Sequence, residues 1–280
     1  MMFSEKLRVI KHAQCAPSWY QIGFEAPHFA AESVAGQFFM LEVGGEGTDP
    51  LLRRPMSLYR LIRDAEGNPT GFELLYKVVG RGTALLSRVC AGDTLGVLGP
   101  LGRGFKIAEG ATEHLIVAGG TGVAPMVALA DAFVLSGIRP KVFYGAKSST
   151  ELPCMQDFDT RNVDLAVFTE DGSLGAKGFV TLGLGESLSA AVKTEVSEHR
   201  AAVYACGPHQ MLAAVARLAE RANAPCQLSL EARMGCGLGA CMACAVRGAS
   251  AETGKEPHYF RVCMQGPVID SRRVSWGDDS

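Results

Sequence analysis

Gly99-Pro100-Leu101-Gly102-Arg103-Gly104 marks the point at which the chain changes its pattern. Before it, apolar residues come in short runs rich in β-branched and aromatic side chains, over 7–10, 19–24, 38–43, 57–62, 72–79 and 94–98. Turn residues separate these runs and no helical period joins them. Six strands of this length point to a closed antiparallel barrel, because closure removes the edges that an open sheet exposes. After the hinge-like glycines the pattern becomes strand, glycine turn, helix. Residues 115–118 lead into a helix near 125–135, and 141–144, 165–168 and 202–205 are further apolar strands, with helical stretches such as 210–222 between them. Such alternation implies right-handed crossovers and a parallel sheet that binds ligands at the carboxyl ends of its strands. From Cys226 onward the chain is expected to leave this sheet for a glycine- and cysteine-rich segment. The expected organisation is a β-barrel over 1–105, an α/β domain over 106–225 and a small module over 226–280.

Composition narrows the function classes. A chain of 280 residues, 48% hydrophobic, can bury real cores in two or three units. With 27 basic against 29 acidic residues there is no electrostatic reason to expect nucleic acid or an acidic membrane as partner. No apolar run reaches bilayer length, since the richest, Val123–Leu135, is interrupted by Asp131. The opening Met1-Met2-Phe3-Ser4-Glu5-Lys6 lacks the apolar core of a secretory leader, so a cytoplasmic protein is expected. Nine cysteines make an odd count, and Cys15, Cys90, Cys154, Cys206 and Cys226 are scattered, which argues against a disulfide framework. These five are expected to pack as small hydrophobes, Cys206 excepted.

The other four cysteines carry the strongest motif. Gly235-Cys236-Gly237-Leu238-Gly239-Ala240-Cys241-Met242-Ala243-Cys244 reads C-x4-C-x2-C, with Cys263 after 18 intervening residues. That is the plant-type [2Fe-2S] spacing. The loop must bring thiolates to two irons and aim backbone N–H groups at sulfur, and Gly235, Gly237 and Gly239 are expected to supply the positive φ this needs. By analogy with that cluster type, Cys236 and Cys241 hold one iron, and Cys244 and Cys263 the other. The competing reading is a structural zinc site, which usually takes two C-x2-C pairs and needs no glycines threaded through the first loop.

Two further sets of residues are weaker one by one. In the barrel, Arg53-Arg54-Pro55-Met56-Ser57 is echoed by Tyr76-Lys77 and by Gly80-Arg81-Gly82-Thr83. An arginine and a serine on one strand can hold a pyrophosphate and a ring edge, and a Gly-Thr turn can present N–H groups to phosphate. A solvated strand end is the ordinary alternative for Arg54 and Ser57. In the second half, Gly119-Gly120-Thr121-Gly122-Val123-Ala124-Pro125 joins a strand to a helix, so that backbone can approach a ligand. Cys206-Gly207-Pro208 ends another strand, where a nicotinamide could lie against a flavin. Glu170-Asp171-Gly172-Ser173 ends a third, and Asp171 is open to a ribose contact or to simple turn chemistry.

The order R-P-x-S, G-x-G-T, G-G-T-G-x-A-P, C-G-P, then the cysteine motif followed by Gly266-Pro267-Val268, resembles the ferredoxin-reductase superfamily. Within it, the chain resembles the electron-transfer subunits of the two-flavin, NAD-dependent dihydroorotate dehydrogenases over nearly its whole length. The resemblance implies FAD in the barrel, contacted by Arg54, Pro55, Met56, Ser57, Leu75, Tyr76, Lys77, Gly82 and Thr83. It implies NAD on the second domain, at Gly119, Gly120, Thr121, Gly122, Asp171, Cys206, Gly207 and Pro208. It further implies an FMN-containing catalytic subunit as partner in a two-plus-two heterotetramer, and a place in pyrimidine biosynthesis. Because 280 residues are taken up by three cofactor modules, no (β/α)8 barrel of about 250 residues fits for dihydroorotate oxidation. Two departures stand out: a long loop between Cys244 and Cys263, with Glu252, Lys255 and His258, and the tail from Trp276 to Ser280. The alternatives are a reductase subunit of a hydrogenase, of an NAD(P)-ferredoxin transhydrogenase or of an oxygenase, and a non-catalytic subunit with zinc on its cysteines.

Overall fold

The computed structural model describes residues 1–44, 49–159, 161–193, 200–249 and 258–277, without the side chains of 191–193. Its first half is a closed barrel of β1 (Phe3–Ala16), β2 (Trp19–Glu25), β3 (Phe38–Leu41), β4 (Arg54–Arg63), β5 (Pro69–Lys77) and β6 (Thr94–Leu101), in the order β1-β2-β5-β4-β3-β6. All of these pairings are antiparallel, as the alternating short runs predict. β1 closes the barrel by serving two neighbours: residues 3–8 pair with β6 and residues 9–16 with β2. Register shifts between Val9 and Lys11 and between Gln14 and Ala16 mark where the strand is irregular, as bulged strands at barrel closures are. Phe24, Phe29, Phe39 and Phe72 fill the interior, with Phe39 and Phe72 stacked at 4.1 Å. Burying each such ring contributes roughly 1.5–3 kcal/mol relative to exposure. Two short helices interrupt the barrel: α1 (Pro27–Ala31), where only a turn was expected, and α2 (Arg81–Leu86), at the Gly-Thr turn expected to open a helix. At five and six residues they are too short to show a helical period.

The second half is a seven-stranded sheet. Its strands β7 (Glu113–Gly119), β8 (Lys141–Ala146), β9 (Asp164–Thr169), β10 (Ala176–Lys177), β11 (Ala201–Cys206) and β12 (Cys226–Ser229) are parallel, in the order β10-β9-β8-β7-β11-β12. The crossovers carry α3 (Val123–Leu135), α4 (Gln156–Asp159), α5 (Thr181–Lys193) and α6 (His209–Arg221). α3 is apolar nearly all round because it is covered twice, by the sheet at β7 and β11 and by the barrel at β4. α6 is two-sided, with Leu212, Val215, Ala216 and Ala219 turned inward. Among the described residues no helix is long and apolar enough to cross a membrane.

The chain does not leave the sheet at Cys226. Cys226–Ser229 is itself the parallel strand β12, and the chain departs only after it. It then forms the cysteine loop, the hairpin of β13 (Ala245–Arg247) and β14 (Tyr259–Arg261), and α7 (Val262–Gln265). It returns as β15 (Val268–Asp270), which pairs antiparallel with β12 and completes the sheet. The last module is therefore built into the second sheet. His258 belongs to the hairpin region, where its carbonyl accepts from Gly248 N at 2.7 Å, and Trp276 packs on His209 at 5.3 Å. Glu252 and Lys255 of the long loop, and the end of the tail at Ser280, lie outside the described residues.

The glycine-rich stretch that separates the two halves is not a free hinge. Arg103 N donates to Gly266 O at 2.6 Å, and Val268 N donates back to Arg103 O at 3.4 Å. Gly102 stands at φ +73, and a Cβ there would lie 2.6 Å from Pro267 Cδ and 2.7 Å from Gly266 O. Both the conformation and the space exclude a side chain. Gly102→Ala is expected to lower stability by about 1–3 kcal/mol, the range for a non-glycine residue held in such a region, read from denaturant or thermal unfolding; an unchanged midpoint would show that the two segments do not clamp each other.

Candidate functional site

The sheet order changes direction between β7, whose successor β8 lies on one side, and β11 on the other. Such a switch point opens a crevice at the strand carboxyl ends, where neither crossover covers it. Both glycine turns predicted for the nucleotide stand there. After β7, Gly120–Gly122 forms a 3₁₀ turn, with Gly120 at φ +52, that runs directly into α3. After β11, Cys206-Gly207-Pro208 leads into α6, with Pro208 at its N-cap. The two turns touch. A Cβ on Gly122 would lie 2.2 Å from Cys206 O, one on Gly119 2.6 Å from Met211 Sδ, and one on Gly207 2.5 Å from Met211 Cε. Glycine is needed in these turns because the backbones approach each other, not only because a ligand does.

Facing the crevice is the barrel, and between them lies a cavity of about 450 Å³. Arg54, Pro55, Met56 and Ser57 of β4, Leu75, Tyr76 and Lys77 of β5, and Thr83 of α2 line it. These are eight of the nine residues predicted for the flavin. Gly82, the ninth, lies under the Arg54 side chain, where a Cβ would come within 2.2 Å of Nε. Arg54 is further fixed by donating from Nη1 to Leu52 O at 2.6 Å. Tyr76 is held by its hydroxyl, 2.8 Å from His12 Nε2, and its ring stacks on Tyr20 at 5.6 Å. Burial pushes its phenol pKa up, so it stays protonated. Thr83 differs from expectation. Its hydroxyl accepts from Val79 N and Gly80 N at 3.0 and 3.2 Å, and so caps its own helix.

Thr121 and Cys206 reach the same cavity from the sheet side, while Gly119, Gly120, Gly122, Gly207 and Pro208 of the same turns do not line it. Thr121 Oγ1 donates to the Glu231 carboxylate at 3.0 Å. The Cys206 thiol is raised by burial and by the nearby Glu231, which keeps it neutral. Asp171 is elsewhere. It ends β9 beyond β8, is exposed, and accepts from Ser173 N at 2.9 Å and Ser173 Oγ at 2.6 Å. Those bonds hold its pKa below the usual carboxylate value and shape the turn after β9.

The third wall was not foreseen. Ser229, Leu230, Glu231, Ala232 and Met234 run along the cavity from the end of β12, and Pro267 closes it. No motif marks this stretch, and it came to light only because β12 belongs to the sheet. Two residues after Met234 the cysteine loop begins. It rests on the barrel at Gly237, where a Cβ would lie 2.7 Å from Met40 Cγ. Arg261 Nη1 holds it from the other side by donating to Gly239 O at 2.6 Å.

The four cysteines converge as two pairs. Cys244 Sγ and Cys263 Sγ are 3.2 Å apart and buried, and Cys263 N donates to Cys244 Sγ at 3.5 Å. Cys236 is half-buried and Cys241 exposed, with Cys236 N donating to Cys241 Sγ at 3.4 Å and Leu238 N to Cys236 Sγ at 3.3 Å. Backbone N–H groups, those of Cys241 and Leu238 first, bring the Cys236 thiol down to about 6, so it is a thiolate at neutral pH. Two pairs with amides aimed at sulfur fit a two-iron centre, whereas a mononuclear zinc site asks for four ligands around one point. The positive φ values fall on Gly237, Gly239 and also Met242, at +71, +79 and +59. Gly235 is not in that set. Its role is steric, since a Cβ there would sit 3.1 Å from Cys241 Sγ.

Comparison with known proteins agrees with this layout. Residues 231–275 match the model of the iron-sulfur cluster binding domain of dihydroorotate dehydrogenase B, and residues 116–217 that of the oxidoreductase NAD-binding domain. The chain is 36% identical to the dihydroorotate dehydrogenase B (NAD(+)) electron transfer subunit of Desulforamulus reducens, over 96% of this chain and 97% of that one. It is equally 36% identical to the subunit of the same description in Geobacillus sp. strain WCH70, over 98% and 99% of the two chains. Among solved structures, that of an NADH-dependent reduced ferredoxin-NADP oxidoreductase superposes with a TM-score of 0.76 at 26% identity, covering 96% of this chain and 90% of that one. The ferredoxin reductase of carbazole 1,9a-dioxygenase shares the fold, with a TM-score of 0.63 at 20% identity over 80% of this chain and 67% of that one.

Gly122→Ala is expected to drive the two turns apart, weaken binding of nicotinamide nucleotide at least about tenfold and destabilise the chain by roughly 1–3 kcal/mol, the usual cost of overpacking. Gly185→Ala is the control. In α5, where the nearest atom to a new Cβ would be 3.8 Å away, the change should be neutral or slightly stabilising. Nucleotide titration and thermal unfolding of both variants check this; equal behaviour of the two would show that the contact between the turns is unimportant.

Proposed function

We propose a route for electrons through this chain, which belongs to the family of electron transfer subunits of NAD(+)-linked dihydroorotate dehydrogenase B. It is an oxidoreductase subunit with FAD, a [2Fe-2S] cluster and NAD as its cofactors, and it works with a catalytic subunit. The alternatives of a hydrogenase, transhydrogenase or oxygenase reductase, or of a zinc-binding subunit, do not fit relatives that match it end to end at 36% identity.

A flavin exchanges two electrons with nicotinamide and single electrons with an iron-sulfur cluster, so its place is between the other two. In our reading Arg54, Pro55, Met56, Ser57, Leu75, Tyr76 and Lys77 form its bed, with Gly82 allowing Arg54 to lie flat over α2 and Thr83 keeping that helix wound. Gly119, Gly120, Thr121 and Gly122, with Cys206, Gly207 and Pro208, present the nicotinamide nucleotide from the switch point. Asp171 supports the outer part of that site by shaping the turn after β9. Thr121 and Glu231 hold each other across the cavity and orient its polar side, while the neutral Cys206 thiol excludes charge from the crevice. Cys236, Cys241, Cys244 and Cys263 hold the cluster, the buried pair toward the protein and the exposed pair toward a partner.

One observation carries this reading. The cavity wall from Ser229 to Met234 runs straight into Cys236, so one short piece of backbone joins the cavity lined by the flavin bed and the nucleotide turns to the cysteine loop. The division into units at 1–105, 106–225 and 226–280, with the last contributing β12 and β15 to the sheet of the second, is part of the same proposal. So are an FMN-containing catalytic partner, a two-plus-two assembly, dihydroorotate as ultimate electron donor in pyrimidine synthesis, and a cytoplasmic location.

The chain purified alone should reduce ferricyanide with NADH and fail to oxidise dihydroorotate. Mixed with its catalytic subunit, it should support NAD+ reduction by dihydroorotate in a complex whose mass by light scattering equals two copies of each chain. Cys244→Ser should bring transfer to the partner down to background and leave NADH-ferricyanide activity within about threefold, because it removes a cluster ligand and touches neither the bed nor the turns. Dihydroorotate turnover by the isolated chain would refute the division of labour.

A further inference from the structure

The flavin bed, the nucleotide turns and the cluster use neither Cys15 nor Cys154. Cys15 lies near the end of β1, at the register shift between Gln14 and Ala16, and is half-buried. Cys154 lies in the segment that joins β8 to β9, 139 positions away, and is buried. Their sulfurs are 3.7 Å apart. Small hydrophobes would account for either one alone, but not for the surroundings. Gln21 Nε2 donates to Cys154 Sγ at 3.3 Å, and Cys154 holds φ +58, a conformation that residues with a Cβ rarely adopt. Three residues on, Asp157 in α4 docks on the barrel through the Tyr59 hydroxyl and through Arg60 Nη2 at 2.5 Å. A second docking contact at the same seam is Lys77 Nζ to Glu151, at 3.9 Å. The two sulfurs are thus brought into contact by elements of different units, which these bonds dock on each other.

We propose that Cys15 and Cys154 are a redox-active dithiol, oxidised by hydroperoxide to a disulfide that ties the barrel to the nucleotide-binding unit. The contact with Cys15, and after it the Tyr59 hydroxyl and the Gln21 amide, lowers the Cys154 thiol, and the same contact raises Cys15. Gln21 Nε2, donating to Cys154 Sγ at 3.3 Å, favours a thiolate on that sulfur, so Cys154 is the nucleophile and the half-buried Cys15 the resolving thiol. In the first step the Cys154 thiolate attacks one oxygen of hydrogen peroxide, an S–O bond forms, the O–O bond breaks, and hydroxide leaves as water with a proton. In the second the Cys15 sulfur attacks the sulfenic sulfur, an S–S bond forms, the S–O bond breaks, and a second water departs. Two thiols and one peroxide give one disulfide and two waters. Each sulfur loses one electron and the peroxide gains two. Thiol reductants reverse the change.

The test uses the full chain with its cofactors, prepared anaerobically, exposed to a small molar excess of hydrogen peroxide and then blocked with iodoacetamide. Non-reducing peptide mapping should recover one cross-linked pair containing Cys15 and Cys154. Dithiothreitol should abolish it, and the oxidised chain should run faster on a non-reducing gel. Cys15→Ser should lose the cross-link and leave Cys154 as a sulfenic acid that dimedone captures. The proposal is overturned if both cysteines still carry the alkyl label after peroxide, or if Cys154 proceeds to sulfinic acid with no cross-linked pair formed. Should the variant fail to fold, mapping of the unmodified sequence decides alone, because the joined peptides name their own residues. Neither result depends on the identity of the electron partner.

Discussion

A handful of backbone hydrogen bonds around Gly266, Pro267 and Val268 hold the parts of this protein in one body. Arg103, at the junction of barrel and sheet, exchanges bonds with Gly266 and Val268, and Leu230 N donates to Pro267 O at 2.9 Å. The same segment continues as β15 against β12. Backbone bonds in such a place have little freedom to slip, because each buried N–H or C=O left unmatched would cost about as much as several surface contacts supply. The cysteine loop hangs between two fixed points, Ser229 at the end of β12 and Val268 at the start of β15. Its position over the cavity follows from that suspension.

Much of this was legible in the sequence. The six barrel strands, the parallel sheet and the cysteine spacing are all local patterns, and local patterns survive when the rest of the chain is unknown. Seven of the nine residues expected for the flavin meet at one cavity because they lie on the adjacent strands β4 and β5, whose register the apolar alternation already sets, and Thr83 joins them from α2. What escaped notice was decided over distance. β12 is four residues long, and its membership of the sheet depends on pairing with β11 and β15 rather than on its own pattern. Glu231 was hidden for the same reason. Asp171 shows the converse: an acidic residue at a strand end fits a ribose contact or a turn equally well, and its bonds to Ser173 are those of the turn.

Glycine illustrates how one residue type carries three separate meanings here. Gly102, Gly237 and Gly239 are needed for left-handed backbone. Gly122 is needed because another strand end occupies the space a side chain would fill, and Gly235 because the Cys241 sulfur does. Sequence reading assigned all of the loop glycines to the first meaning. Met242 corrects it from the other side, since a bulky residue occupies a left-handed position that spacing alone would reserve for glycine.

The four thiols are also unequal in what surrounds them: Cys244 and Cys263 sit in the interior, while Cys241 faces solvent. A centre held this way is sheltered on one flank only. Corrosion by oxygen or stripping by a chelator must start from the open flank, which is the same flank that has to come close to another redox group for an electron to hop. Vulnerability and usefulness therefore share an address, and a subunit seated there would act as armour as well as a conductor.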